Sequence, residues 1–112
     1  MNLETKSAGA RRANDPPILI LTSLAGGAKH GYALAQDIKE FAGVVLSPGA
    51  LYGAITRLEE RGLIEPIGGD DRRRPYQITS LGSTTLTSAI REMNKVASVG
   101  ATRLGLIRGQ FA

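Results

Sequence analysis

The sequence predicts a mainly α-helical fold that carries one small β-hairpin and ends in a long helix. Three observations lead there. Apolar residues recur at steps of three and four in separate stretches, the period of a helix with one buried face. Two short apolar runs flank Gly68-Gly69-Asp70-Asp71, as strands flank a turn. The last stretch keeps a heptad-like period over about three heptads, more than a small core needs. With 112 residues and 42% hydrophobic content the chain can bury one modest core, so a single domain is expected.

The first helix is announced by Asp15-Pro16-Pro17, a cap followed by Pro at the first helical position; the apolar run Ile18 to Leu24 continues until Gly26-Gly27 stops it. It should be mostly buried. A second helix from about Tyr32 places Leu34, Ile38 and Phe41 on one face and ends near Gly43. His30 should cap or pack at its start. The third begins at Ser47-Pro48, again a cap and a Pro, and runs to Gly62 with Leu51, Ile55 and Leu58 as its buried stripe. Opposite that stripe stand Gly49, Ala50, Gly53, Thr56 and Arg57, a small and polar face. A glycine inside an exposed helix costs roughly 1 kcal/mol relative to Ala. Local tolerance is one explanation for Gly49 and Gly53, and close approach to a groove is the preferred one.

Leu63 to Ile67 and Pro75 to Ile78 read as short strands, each with a Pro that cannot donate a ladder hydrogen bond. They form an edge-rich hairpin whose tip, bearing Arg72, Arg73 and Arg74, projects. The final helix starts after Thr79 or Ser80 as cap and reaches roughly Ile107. Leu86, Ile90, Met93, Ala97, Gly100, Leu104 and Ile107 form an a/d-like seam along it. A seam of that length asks for a partner helix, and a second copy of the chain is the expected one; Ala97 and Gly100 sit mid-seam, where two axes can come close. The resulting organisation is a flexible N-terminal arm (1–14), a winged helix-turn-helix (15–80), a C-terminal dimerisation helix (81–108) and a frayed tail (109–112).

Composition narrows the function. The absence of Cys removes disulfides, thiolate catalysis and thiol redox sensing, and suits a reducing compartment. No stretch resembles a signal peptide or approaches the roughly 18 apolar residues of a membrane span, so a soluble, cytoplasmic protein is expected. Net charge is +4 and the pI about 9.9, a weak pointer to a polyanion. It is weak because residues 15 to 80 carry seven basic and eight acidic side chains; the placement of particular arginines has to carry the reading. A single His without a carboxylate cluster makes no metal site, and no cofactor is expected. Gly26 to Gly31 lacks the Gly-Lys-Ser/Thr ending and the preceding strand of a phosphate loop, which leaves a plain turn. Glu59-Glu60 and Asp70-Asp71 are sequence neighbours, which point apart rather than across a substrate, so acid/base catalysis has no support and no enzyme is expected.

A helix with a thin exposed face, followed at once by two strands and an arginine-bearing turn, is how a winged helix presents itself to DNA. The chain resembles the PadR family of winged-helix transcriptional regulators over about residues 15 to 106. The residues that carry the resemblance are His30-Gly31-Tyr32-Ala33-Leu34, Ser47-Pro48-Gly49 with Leu51-Tyr52, Arg57-Leu58-Glu59-Glu60-Arg61-Gly62-Leu63-Ile64, and Tyr76-Gln77-Ile78-Thr79 with Gly82. The resemblance implies a bacterial, dimeric DNA-binding repressor with a C-terminal dimerisation helix, controlling a neighbouring operon and often its own gene. Effectors, where the family has them, bind between the subunits. This chain departs in its brief C-terminal region and its lack of Trp, which argues against an effector site built on a stacked indole.

The expected mechanism inserts the start of the third helix into the major groove. Ser47, Pro48 and the helix N-terminus lie near a phosphate, Gly49 and Gly53 permit the approach, and Thr56 or Arg57 reaches base edges or backbone. Arg72, Arg73 and Arg74 follow the flanking backbone or minor groove. Tyr52 and Tyr32 are each divided between packing and a phosphate contact. A dimer would read a pseudo-palindromic operator, and an apolar effector would sit near Met93, Val96 and Ala97. The alternative function is a winged helix used only to bind other proteins.

Overall fold

The computed structural model describes residues 13–68 and 74–106, which form four helices and a two-stranded antiparallel sheet. The expected arm (1–14) lies almost wholly outside them, as do Arg72, Arg73, Ile107 and the expected tail (109–112).

Helix α1 (Pro16–Ala25) is the centre of the fold and packs against the other three helices and the second strand. That position explains its composition: Ile18, Leu19, Ile20, Leu21 and Leu24 are all buried, leaving little room for a polar face. Asp15 occupies the N-cap position, but its side chain makes no capping hydrogen bond. Helix α2 (Gly31–Ala42) buries Leu34 and Ile38 against α1, as the spacing predicts. Phe41 departs from the expectation: it sits in the last turn, 47% exposed, one turn beyond the part of α2 that the core covers. His30 stands at the N-cap position of α2 and is exposed, without a side-chain capping bond.

Helix α3 (Pro48–Glu60) is capped at its start by Ser47, whose Oγ accepts the Ala50 N–H at 3.1 Å. It ends as its Gly predicts. Gly62 takes a left-handed φ of 76°, its N–H donates to the Glu59 carbonyl, and the Leu63 N–H donates to the Leu58 carbonyl, with both leucines buried. That turn delivers the chain directly into strand β1 (Ile64–Pro66), which pairs antiparallel with β2 (Tyr76–Ile78) in the register Ile64 to Ile78, Glu65 to Gln77 and Pro66 to Tyr76. Lys29 adds a bridge on the other edge of β2: its N–H donates to the Tyr76 carbonyl at 3.1 Å and its carbonyl accepts the Tyr76 N–H at 2.9 Å. The wing is thereby tied to the turn between α1 and α2.

Helix α4 (Ser80–Arg103) begins at Thr79, whose Oγ1 accepts the Gly82 N–H at 3.0 Å and donates to the Gly62 carbonyl at 2.7 Å. Two expectations for this helix need correction. Leu86 is only 6% exposed and belongs, with Ala89, to the core of the single chain, because the first turns of α4 lie against α1. The core of the single chain therefore extends past residue 80 into the first turns of α4. The helix also stops earlier than the seam suggested. Gly105 takes a φ of 75°, its N–H donates to the Thr102 carbonyl and the Leu106 N–H to the Ala101 carbonyl, a glycine-dependent stop that outweighs the apolar period. Leu104 is thus at the cap rather than in the helical seam.

Candidate nucleic-acid interface

At about 100° per residue, Leu51, Ala54, Ile55 and Leu58 fall within one arc of α3, and all four are buried. The opposite face has Gly49, Gly53 and Thr56 along its middle, Tyr52 on one flank and Ala50 and Arg57 on the other. Gly49, Ala50, Tyr52, Thr56 and Arg57 are exposed and Gly53 is half-buried. A Cβ placed on Gly49 would meet nothing within 4 Å, and one on Gly53 would meet only Arg57 Nη1 at 3.5 Å. Neither glycine is required by packing among the described residues. What the pair achieves is a shallow strip of backbone on the outside of the helix.

The N-terminus of α3 has fewer available donors than a helix end usually offers. Pro48 has no N–H, the Ala50 N–H is taken by Ser47 Oγ, and the Leu51 N–H by the Ser47 carbonyl. Among the described residues the Gly49 N–H is the first-turn donor that remains, at an end with no acidic side chain in the first turn. Thr56 Oγ1 donates to the Tyr52 carbonyl at 2.9 Å, and its oxygen can still accept.

Tyr32, in the first turn of α2, is 75% exposed. Tyr52 is 51% exposed, with its ring end lying over Gly31 at the start of α2. On the wing, Glu65 Oε2 accepts from Gln77 Nε2 at 2.7 Å across the strand pair, and Arg74 is half-buried.

One polar group was not anticipated from sequence. Ser23 is buried inside α1; its Oγ donates to Asp37 Oδ2 at 2.6 Å, and its carbonyl accepts from Lys29 Nζ at 2.6 Å. Lys29 Nζ also reaches the Gly27 carbonyl at 3.1 Å and stands 4.0 Å from Asp37. The sequence signal was a serine inside an otherwise apolar run, since a buried hydroxyl requires a partner. Lys29 is thus committed to the α1–α2 turn.

The far half of α4 presents a second surface. Ile90, Met93, Val96, Ala97, Val99 and Gly100 border an open, largely apolar groove, which brings together the three residues expected to face an effector. Val99 was missed because it lies off the a/d seam. Among the described residues no helix is long and apolar enough to cross a membrane, and no three His, Cys, Asp or Glu side chains are grouped as a metal site.

Comparison with known proteins assigns this architecture. The family model described as the transcriptional regulator PadR-like family matches residues 20–88. Over 86 residues the chain is 38% identical to an uncharacterised 37.1 kDa protein in transposon TN4556 of Streptomyces fradiae; the match covers 77% of this chain and 25% of that protein, so the chain spans about a quarter of its length. A PadR family transcription regulator from Clostridium difficile R20291 matches with a TM-score of 0.70 and 26% identity, over 80% of this chain and 97% of that one. A transcriptional regulator from Clostridium thermocellum matches with a TM-score of 0.67 and 28% identity, over 78% and 87%.

Proposed function

The chain belongs to the PadR-like family of transcriptional regulators, and from that premise we propose that it is a cytoplasmic, dimeric repressor that reads a pseudo-palindromic operator with α3. The observation that carries the reading is the shallow outer strip of that helix. Gly49 leaves the backbone open and Gly53 faces only the movable Arg57 guanidinium, where nothing among the described residues requires a glycine, which suits insertion into a major groove about 12 Å wide. The Gly49 N–H and the positive end of α3 face a phosphate, Thr56 and Arg57 meet base edges or backbone, and Ser47 and Pro48 set the start of the helix. Tyr32 adds a contact from the first turn of α2. Arg72, Arg73 and Arg74 follow the flanking backbone and supply affinity more than sequence preference.

Dimerisation is assigned to the apolar seam of α4 beyond Ala89, exposed except at Met93, which is half-buried against the core of its own subunit. Ile90, Met93, Ala97 and Gly100 lie on its helical seam, with Leu104 just past its end. Leaving that surface uncovered would present a contiguous apolar patch to water. An effector, where one operates, is apolar or weakly polar and occupies the groove beside Met93, Val96 and Ala97.

Sequencing of genomic fragments retained by the purified protein, followed by a salt titration on the recovered site, tests the reading. It predicts enrichment of discrete sites and a linear, steep fall of log affinity with log salt. The near-neutral charge of residues 15 to 80 favours one competitor, a winged helix that binds only proteins. No enriched site and no salt slope would make that competitor the better account.

A further inference from the structure

We propose that Gly31 is a seat that holds the Tyr52 ring back at the flank of α3, and that this contact keeps the groove-facing strip of the helix clear. The inference rests on the assignment of α3 as the reading helix and adds a positioning pair that acts through the shape of that helix's surface.

Gly31 is the first residue of α2 and is buried, although nothing about its backbone angles requires glycine there. The reason lies across the interface between the two helices. A Cβ on Gly31 would overlap the Tyr52 hydroxyl oxygen and would lie 2.8 Å from Cζ and 2.9 Å from Cε1 of the same ring. The tip of the tyrosine therefore occupies the volume that any other residue's Cβ would fill. Half the tyrosine remains exposed, and its position relative to Gly49, Gly53 and Thr56 explains why its direction matters. At about 100° per residue it stands roughly 40° from Thr56 and 60° from Gly49, so an aromatic ring released from its seat sweeps over the shallow strip. A ring lying there is far bulkier than the glycines beside it.

The obstruct-and-clear character of the contact follows from what a Cβ at residue 31 would strike. Its nearest neighbours are the far end of a half-exposed side chain, which can move, and not backbone. Gly31→Ala thus displaces the ring while leaving the buried contacts of Leu34, Ile38, Ile55 and Leu58 in place.

The test uses the full chain and a duplex carrying a site recovered by fragment sequencing, with binding, melting temperature and oligomeric state measured for each variant. Wild type should bind the site; failure of wild type to bind any site would sink the underlying assignment and this inference with it. Given wild-type binding, Gly31→Ala should lose at least about tenfold in affinity with oligomeric state unchanged. Tyr52→Phe should bind within about threefold of wild type, because the ring and not the hydroxyl is what must be parked. The decisive variant is the double change Gly31→Ala with Tyr52→Ala, which removes the displaced ring and should recover most of the loss, to within about threefold of Tyr52→Ala alone. A merely structural role for Gly31 would lower the melting temperature of Gly31→Ala together with its binding, and that result, wild-type binding by Gly31→Ala, a double variant no better than Gly31→Ala, or loss of binding by Tyr52→Phe would overturn the proposal.

Discussion

Three glycines in helices of this chain do three different things, and a Cβ at each predicts three different outcomes. Gly82, in the first turn of α4, is buried against the Leu63 carbonyl oxygen, which a Cβ would overlap, and against Ile78 Cγ1, which it would approach to 2.8 Å. Backbone cannot swing aside, so Gly82→Ala should destabilise the fold by about 1 to 3 kcal/mol, the cost of overpacking, measurable as a lower denaturation midpoint. Gly49 is the opposite case. Open space surrounds it, and Leu is a better helix former by roughly 0.8 kcal/mol, so Gly49→Leu should keep or raise the melting temperature while abolishing operator binding. A Gly49→Leu or Gly53→Leu variant that binds normally would remove α3 as the reading element. Gly31 falls between them, since its obstacle is movable.

At the scale of elements, α4 is two helices in one. Its first turns complete the subunit core through Leu86 and Ala89, and from Ile90, 41% exposed, onward it carries an exposed apolar surface. Neighbouring substitutions should consequently behave differently. Leu86→Ala removes a buried side chain and should cost about 2 to 5 kcal/mol of stability, seen in chemical denaturation. Ile90→Asp should leave the subunit folded and yield monomers in sedimentation; a dimer that survives it would place the interface elsewhere. The wing calls for a different measurement. Replacing Arg72 and Arg73 by Ala should weaken binding to all sequences alike and reduce the slope of log affinity against log salt by about one per lost phosphate contact. An unchanged slope would mean that the turn does not follow the backbone.

Taken as a whole molecule, most of the architecture was legible because each element carried its own punctuation. Pro at the first turns of α1 and α3, Ser47 and Thr79 as caps, and Gly62 at a left-handed stop each acted locally, and local signals survive in sequence. What was not legible depended on neighbours distant along the chain. Leu86 and Ile90 are equivalent in the heptad pattern, and only the placement of α1 decides that one is core and the other surface. Gly105 ended α4 before the apolar period did, because a cap competes with periodicity and the sequence alone does not rank them. The bridge from Lys29 to Tyr76 joins residues 47 positions apart, and the seat of Tyr52 on Gly31 spans two helices. For the candidate interface, the residue types on α3 were readable from spacing, whereas the loss of first-turn donors to Ser47 and the contact of the Tyr52 ring with Gly31 arise only from the folded geometry.

The central claim is that two such subunits, joined through α4, place two copies of α3 on one face of a duplex. Successive major-groove faces on one side of B-DNA recur at one helical turn, about 34 to 36 Å or 10 to 10.5 base pairs. Hydroxyl-radical footprinting of the wild-type protein on a site recovered from the genome measures that spacing directly. The account predicts two protected half-sites related by a twofold axis, about one turn apart and on the same face, both lost together in Gly49→Leu. A single protected patch, or protection spread evenly along the duplex without symmetry, would contradict it.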